Sequence, residues 1–128
     1  MQDTVRRILT ARVYDVAEET PLDPLKRVSV RLGRPALLER EDLQPVFSFK
    51  IRGAYNKIAA LTEAELARGV ICASAGNHAQ GVALAAARRG AASTIVMPTT
   101  TPGIKGGAVK ALGGNVVLHG DSFAEAYA

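Results

Sequence analysis

Apolar and polar positions along the chain fall into two regimes. In the first, Val5, Ile8, Leu9, Val13 and Val16 recur at helical spacing and predict an amphipathic helix over residues 5 to 19, with Asp3 or Thr4 able to cap its start. Thr20-Pro21 ends that pattern. Pro21, Pro24, Gly33 and Pro35 then make residues 20 to 35 turn-rich, so irregular chain or a short helix is expected there. Ala36 to Glu39 reads as a short strand ahead of the acidic pair Glu41-Asp42. Ser48 stands where it could cap a helix from Phe49 to Leu61, and Thr62 with Glu65 forms a capping-box pattern for a second helix, which Gly69 stops.

The second regime is regular. Short apolar runs alternate with helical patterns: strand Val70 to Ala73, helix His78 to Arg89, strand Thr94 to Met97, helix Ile104 to Leu112, strand Val116 to Leu118, and a helix beginning near Ser122. Mostly apolar strands suit a parallel sheet covered on both faces, and strand–helix alternation predicts βαβ units with right-handed crossovers. The fold class is α/β. Ligands of open α/β sheets bind beyond the carboxyl ends of the strands, so the turn after the first of these strands carries most interest.

Composition narrows the classes without adding a motif. The chain has 128 residues, 48% apolar and 22% charged, with 12 Gly, 5% aromatic residues and no Trp, the profile of one small globular domain. Apolar runs such as Val82 to Ala87 are far below the roughly 20 residues that span a bilayer, so no membrane span is expected. The arginines of Met1 to Arg7 have no apolar run behind them, and Asp3 with Glu18-Glu19 argues against a transit peptide, which leaves a cytoplasmic location as the expectation. Net charge is +4, yet the basic residues are scattered and no aromatics interleave with them, so nucleic acid is not an expected partner. The single cysteine, Cys72, lies in an apolar run and reads as inert core. His119 has no ligand-spaced neighbour, so no metal is expected.

The turn Ser74-Ala75-Gly76-Asn77 opens the helix at His78. Small residues let a backbone fold around a ligand, and the N–H groups of a helix start form an anion site for a phosphate or carboxylate. The bland alternative is that Ser74 and Asn77 only cap the helix. The turn is not GxGxxG and has no Walker lysine, so neither a dinucleotide nor a nucleoside triphosphate is suggested. His78 alone is more often a hydrogen-bonded helix residue than a catalyst. Gly81, one turn on, would admit a close neighbour.

Lys50 stands where the helix from Phe49 is expected to begin. A cation is disfavoured at a helix N-terminus and beside Arg52, so the neutral amine, a nucleophile, gains there. Lysines activated in this way carry Schiff bases to carbonyl compounds, and Phe47 and Phe49 could supply apolar walls. An ordinary surface lysine with a packed stem is the competing reading.

Two stretches together carry a family resemblance. SFKIRGA at 48 to 54 with SAGNHAQG at 74 to 81 resembles the threonine (serine) dehydratases, fold-type-II enzymes dependent on pyridoxal phosphate. LLEREDLQPVF at 37 to 47, TIVMPTTTP at 94 to 102 and ALGGNVVLHG at 111 to 120 extend the match, and QPVF is similar to the biosynthetic branch. The resemblance implies a tryptophan synthase β-like fold, a three-layer αβα arrangement with parallel strands. Residues 1 to 52 would belong to the large cofactor domain and 53 to 128 to the small mobile one. It implies that Lys50 carries the cofactor as a Schiff base and removes the substrate's α-proton, that Phe49 packs on the cofactor ring, and that Asn77 hydrogen-bonds its phenolic oxygen. The turn Ser74, Ala75, Gly76, Asn77 and His78 would hold the substrate carboxylate through backbone N–H groups. The implied reaction turns L-threonine or L-serine into 2-oxobutanoate or pyruvate and ammonia, the first step of isoleucine biosynthesis, in a homo-oligomer.

Neighbouring families differ at single positions. Cysteine synthases usually show Asn-Thr where this chain has Asn77-His78, and serine racemases carry a second serine, the base on the other face, where Ala75 stands. The family's catalytic domain is more than twice as long, so the glycine-rich phosphate loop and the residue facing the pyridine nitrogen are expected outside these residues. The chain alone is therefore expected to be inactive, and a non-catalytic α/β piece that needs a partner is the second reading. Gly106-Gly107, where the family commonly has a larger residue and an aspartate, predicts a helix that starts late or frays, and Glu39 stands where lysine is frequent.

Overall fold

The computed structural model describes residues 2–128. Its elements are helix α1 (Gln2–Leu9), strand β1 (Leu22–Pro24), α2 (Lys26–Leu32), β2 (Leu37–Glu39), α3 (Lys50–Ala59) and α4 (Glu63–Ala67). They are followed by β3 (Val70–Ala73), α5 (Asn77–Arg88), β4 (Ser93–Met97), α6 (Gly103–Ala111), β5 (Asn115–Leu118) and α7 (Phe123–Tyr127).

The first half departs most from its sequence pattern. The helix expected over 5 to 19 is α1 alone, which buries no residue, followed by a 3-10 turn at Val13–Asp15. Tertiary partners break the continuous helix. The Tyr55 hydroxyl donates to Asp15 Oδ2 at 2.8 Å, and the buried Gln44 amide both accepts from the Glu18 N–H at 2.9 Å and donates to its carbonyl at 2.7 Å. Residues 22 to 24, within the stretch expected to be irregular, pair antiparallel with β2 in the register Leu22↔Glu39 to Pro24↔Leu37. Pro24 lies opposite Leu37 at a position whose missing N–H the ladder does not use, and the next N–H, of Leu25, donates to the Ala36 carbonyl at 2.9 Å. The short helix expected in the same stretch is α2, closed by Gly33 at φ 64°.

The second half follows its pattern closely. Thr62 and Glu65 form the full capping box on α4, and Gly69 at φ 77° ends that segment. β3, β4 and β5 form a parallel sheet in that order, with Val70 opposite Ser93 and Thr94 opposite Asn115. α5 and α6 are the crossovers, and α7 approaches β3 and β4. Ser122 caps α7 by accepting from the Glu125 N–H. α6 runs unbroken through Gly106 and Gly107, against the expected late start.

The core lies between the sheet and the α3–α5 pair. Ile95 and Met97 of β4 meet Ala79, Val82, Ala83 and Ala86 of α5, and Ile51, Ala54, Tyr55 and Ile58 of α3 close the layer. Small side chains on α5 let the two helices approach, and each large aliphatic side chain removed from water contributes about 1.5–3 kcal/mol. The edge strands are not covered on both faces as expected: Ile71 on β3 and Val117 and Leu118 on β5 are exposed, whereas Ile95 and Met97 on the central strand β4 are fully buried.

Candidate active site

Gly81 brings the two motifs together. It is buried on α5, one turn beyond Asn77, and a Cβ built on it would stand 3.2 Å from the carbonyl carbon and oxygen of Lys50 and 3.3 Å from the Ile51 nitrogen. The backbone at Lys50 thus rests on the first turns of α5. The neighbour that Gly81 admits is the other motif.

Lys50 is the first residue of α3 and is exposed, with Nζ 4.7 Å from the centroid of the Phe49 ring. Phe47 and Phe49 are themselves exposed, so they do not enclose the lysine as apolar walls. Phe47 holds φ at 55°, a left-handed conformation that costs about 1 kcal/mol or more for a bulky residue, and its N–H donates to the Gln44 carbonyl at 2.7 Å. The capping position falls on Phe49 rather than on Ser48, although Phe49 itself has helical angles, and no side chain caps the helix start. Among the described residues the buried Ser48 hydroxyl has no partner, contrary to the expected cap.

Arg52 does not act on Lys50 as an unpaired charge. Its Nε and terminal nitrogen donate to the two Glu41 carboxylate oxygens at 2.8 and 2.7 Å, and its guanidinium lies 5.4 Å from the Tyr14 ring. Glu41 also accepts from Thr20 Oγ1 at 3.1 Å and Gln44 Nε2 at 3.0 Å. The Arg52 hydrogen bonds, assisted by Gln44 and Thr20 and opposed by burial, bring the Glu41 carboxyl down to about 2. Sequence reasoning missed this network. The acidic pair ahead of a basic helix start was its one available signal.

In the anion turn, the Ser74 hydroxyl accepts from the Gly76 N–H at 3.3 Å, and Gly76 takes the capping position with no side-chain hydrogen bond. Ser74 and Asn77 therefore do not cap α5, against the bland reading, and the leading N–H groups of the helix lack a side-chain acceptor. A Cβ on Gly76 would meet nothing within 4 Å, so the turn opens on free space. Ala75 is half-buried, and Asn77 and His78 are exposed.

His78 also borders a second cleft, of about 360 Å³, between α3 and β3, with Gly53, Lys57, Cys72 and Val82. Cys72 is half-buried on that cleft rather than inside the core, and burial raises its thiol. His119 is exposed, and its N–H donates to Met97 O at 2.9 Å. Among the described residues no three His, Cys, Asp or Glu side chains gather as a metal site, and no helix is long and apolar enough to cross a membrane.

An exposed primary amine at one helix start, an aromatic ring beside it and an open glycine turn at a second helix start suit a carbonyl cofactor and an anionic substrate. The buried hydroxyl of Ser48 adds an unused polar group two residues from the amine. The family model described as "Pyridoxal-phosphate dependent enzyme" matches residues 13–128. The chain is 59% identical over 129 aligned residues to the biosynthetic L-threonine dehydratase of Burkholderia multivorans, covering 98% of this chain and 25% of that protein. It is 60% identical over 121 residues to the chloroplastic biosynthetic threonine dehydratase of Arabidopsis thaliana, covering 94% and 20%. Among solved structures, threonine deaminase isoform 2 of Solanum lycopersicum superposes with a TM-score of 0.93 at 56% identity, over 98% of this chain and 35% of that one. Maize serine racemase superposes with a TM-score of 0.87 at 35% identity, over 97% and 37%. The chain spans 20% to 25% of the length of these two dehydratases.

Proposed function

The chain belongs to the pyridoxal-phosphate-dependent enzyme family, and on that premise we propose that it carries the reactive lysine and carboxylate-binding turn of a threonine dehydratase. The reaction removes water from L-threonine or L-serine and yields 2-oxobutanoate or pyruvate with ammonia, at the first step of isoleucine biosynthesis. The observation that carries this reading is the close approach of Gly81 on α5 to the Lys50 backbone, which joins the lysine motif to the helix that the glycine turn opens.

In this reading Lys50 would hold the cofactor through Nζ and, once the substrate's own amine had displaced it there, the freed Nζ would take the proton from the substrate's α-carbon. Bound pyridoxal phosphate supplies an electron sink for the negative charge that develops there. Phe49, whose ring centroid lies 4.7 Å from Nζ, would pack on the cofactor ring, and the Asn77 amide would hydrogen-bond its phenolic oxygen. In the turn Ser74 to His78, the Ser74 N–H is taken by the Val96 carbonyl at 3.0 Å and the Gly76 N–H by Ser74 Oγ, so the N–H groups of Ala75, Asn77 and His78 are those that would orient the substrate by its carboxylate, through the partial positive charge of the helix start. Loss of the β-hydroxyl as water, followed by hydrolysis, completes the balance. No residue of this chain is assigned to the cofactor phosphate. Ala75 brings no hydroxyl to the opposite face, which favours elimination over racemisation.

Residues 1 to 52 are proposed to join the large domain and 53 to 128 to form the small mobile one, within a homo-oligomeric cytoplasmic enzyme; plant relatives are described as chloroplastic. The reading is tested by mixing the chain with pyridoxal phosphate, reducing with borohydride and mapping the modified lysine. Lys50 is expected ahead of Lys26, Lys57, Lys105 and Lys110, and a Lys50→Ala variant that still takes up the cofactor to the same extent would sink it. Conversion of threonine to 2-oxobutanoate by the 128-residue chain would discard the reading of it as a non-catalytic piece.

A further inference from the structure

Gly81 is an expensive residue where it stands. Glycine inside a helix costs about 1 kcal/mol relative to alanine, and Gly81 has no positive φ that would call for it. The other glycines within helices, Gly53, Gly103, Gly106 and Gly107, have either nothing within 4 Å of a built Cβ or only Val116 Cγ1 at 3.9 Å. Gly81 alone among them meets backbone, at 3.2 to 3.3 Å, and that backbone is the peptide leaving Lys50. Neither a flexible side chain nor a loop can yield there. Ile51, the next residue, is fully buried against the same core, so relief of a clash must move the start of α3 away from α5.

We propose that Gly81 is a positioning residue, whose missing side chain sets the separation between the Lys50 amine and the carboxylate-binding turn so that one cofactor–substrate pair reaches both. The proposal rests on the functional reading above. An alanine at this position forces a shift of a few tenths of an ångström between the two motifs. The shift is small for packing but large for a reaction geometry, in which a misplacement of 1 Å costs roughly 100-fold.

The test compares the chain with its Gly81→Ala and Gly107→Ala variants. Each is incubated with pyridoxal phosphate across a pH series and quenched with borohydride. The lysine nitrogen condenses with the aldehyde carbon with loss of water, and borohydride then delivers hydride to that carbon, fixing the group for peptide mapping. Trapping at Lys50 in Gly81→Ala is expected to fall about fourfold. Trapping at Lys57 and Lys110 should stay unchanged in that variant, and Gly107→Ala should match the parent at every lysine. Circular dichroism of Gly81→Ala should show the parent's helix content.

Parent-like trapping at Lys50 in Gly81→Ala overturns the proposal and leaves the functional reading standing. Loss of the folded state in Gly81→Ala also overturns it, because Gly81 would then serve the fold as a whole. Absence of selective trapping at Lys50 in the parent sinks the functional reading itself, and the positioning role with it.

Discussion

Glu41 accepts hydrogen bonds from Arg52, Thr20 and Gln44, and through them joins the start of α3 to the segment around Glu18. Its folded-state carboxyl, at about 2, lies below the ordinary 4.5, so its stabilisation is complete above about pH 4.5 and disappears as pH falls through about 2. Glu41→Gln is expected to cost roughly 2 kcal/mol at neutral pH, because an amide matches only part of the Arg52 fork. Urea unfolding at pH 7 and pH 3 checks this: the parent should lose part of its advantage over the variant at the lower pH, and an equal gap at both would contradict the assignment. Lys50 was legible in the sequence because a cation at a helix start is an unusual choice. The role of Arg52 was not, since its partner lies eleven positions away across a turn that no local pattern describes.

Elements differ in how far local signals decide them. The capping box on α4 needs only Thr62 and Glu65, and it forms as read. Thr62→Ala should therefore cost about 1 kcal/mol in thermal or urea unfolding. The two glycines of α6 mislead a local reading, because the flanking strands β4 and β5 fix both ends of the crossover whatever its propensity. Gly107 is exposed with nothing near its missing Cβ, so Gly107→Ala is expected to raise stability by about 0.5–1 kcal/mol, read as a higher urea midpoint at unchanged slope. The pattern over 5 to 19 errs in the opposite direction. Its apolar spacing is helical, but Asp15 and Glu18 are claimed by Tyr55 and Gln44, and these long-range bonds outweigh a few more residues of helix.

At the scale of the molecule, the sheet has one covered strand and two partly open ones. Ile95 on β4 is fully buried while Ile71 on β3 is 73% exposed, so Ile95→Ala should cost about 2–5 kcal/mol and Ile71→Ala below about 1. Comparable losses on urea unfolding would mean that β3 is covered in solution. By itself the sequence determined the α/β class, the βαβ rhythm after residue 69, and the identity of the lysine motif and the glycine turn. Those features rest on short-range periodicity and on residue types with few alternative uses. Only the tertiary structure decided that α5 seats the Lys50 backbone at Gly81, that Glu41 takes the charge of Arg52, and that Ser48 is buried without a partner. Each depends on which distant atoms meet across the α3–α5 contact or the turn at Gln44, and chain spacing carries no record of that. Lys50 is the first residue of α3, at the mouth of the helix as its motif predicts. The bare backbone of Gly81 on the neighbouring helix lies against it.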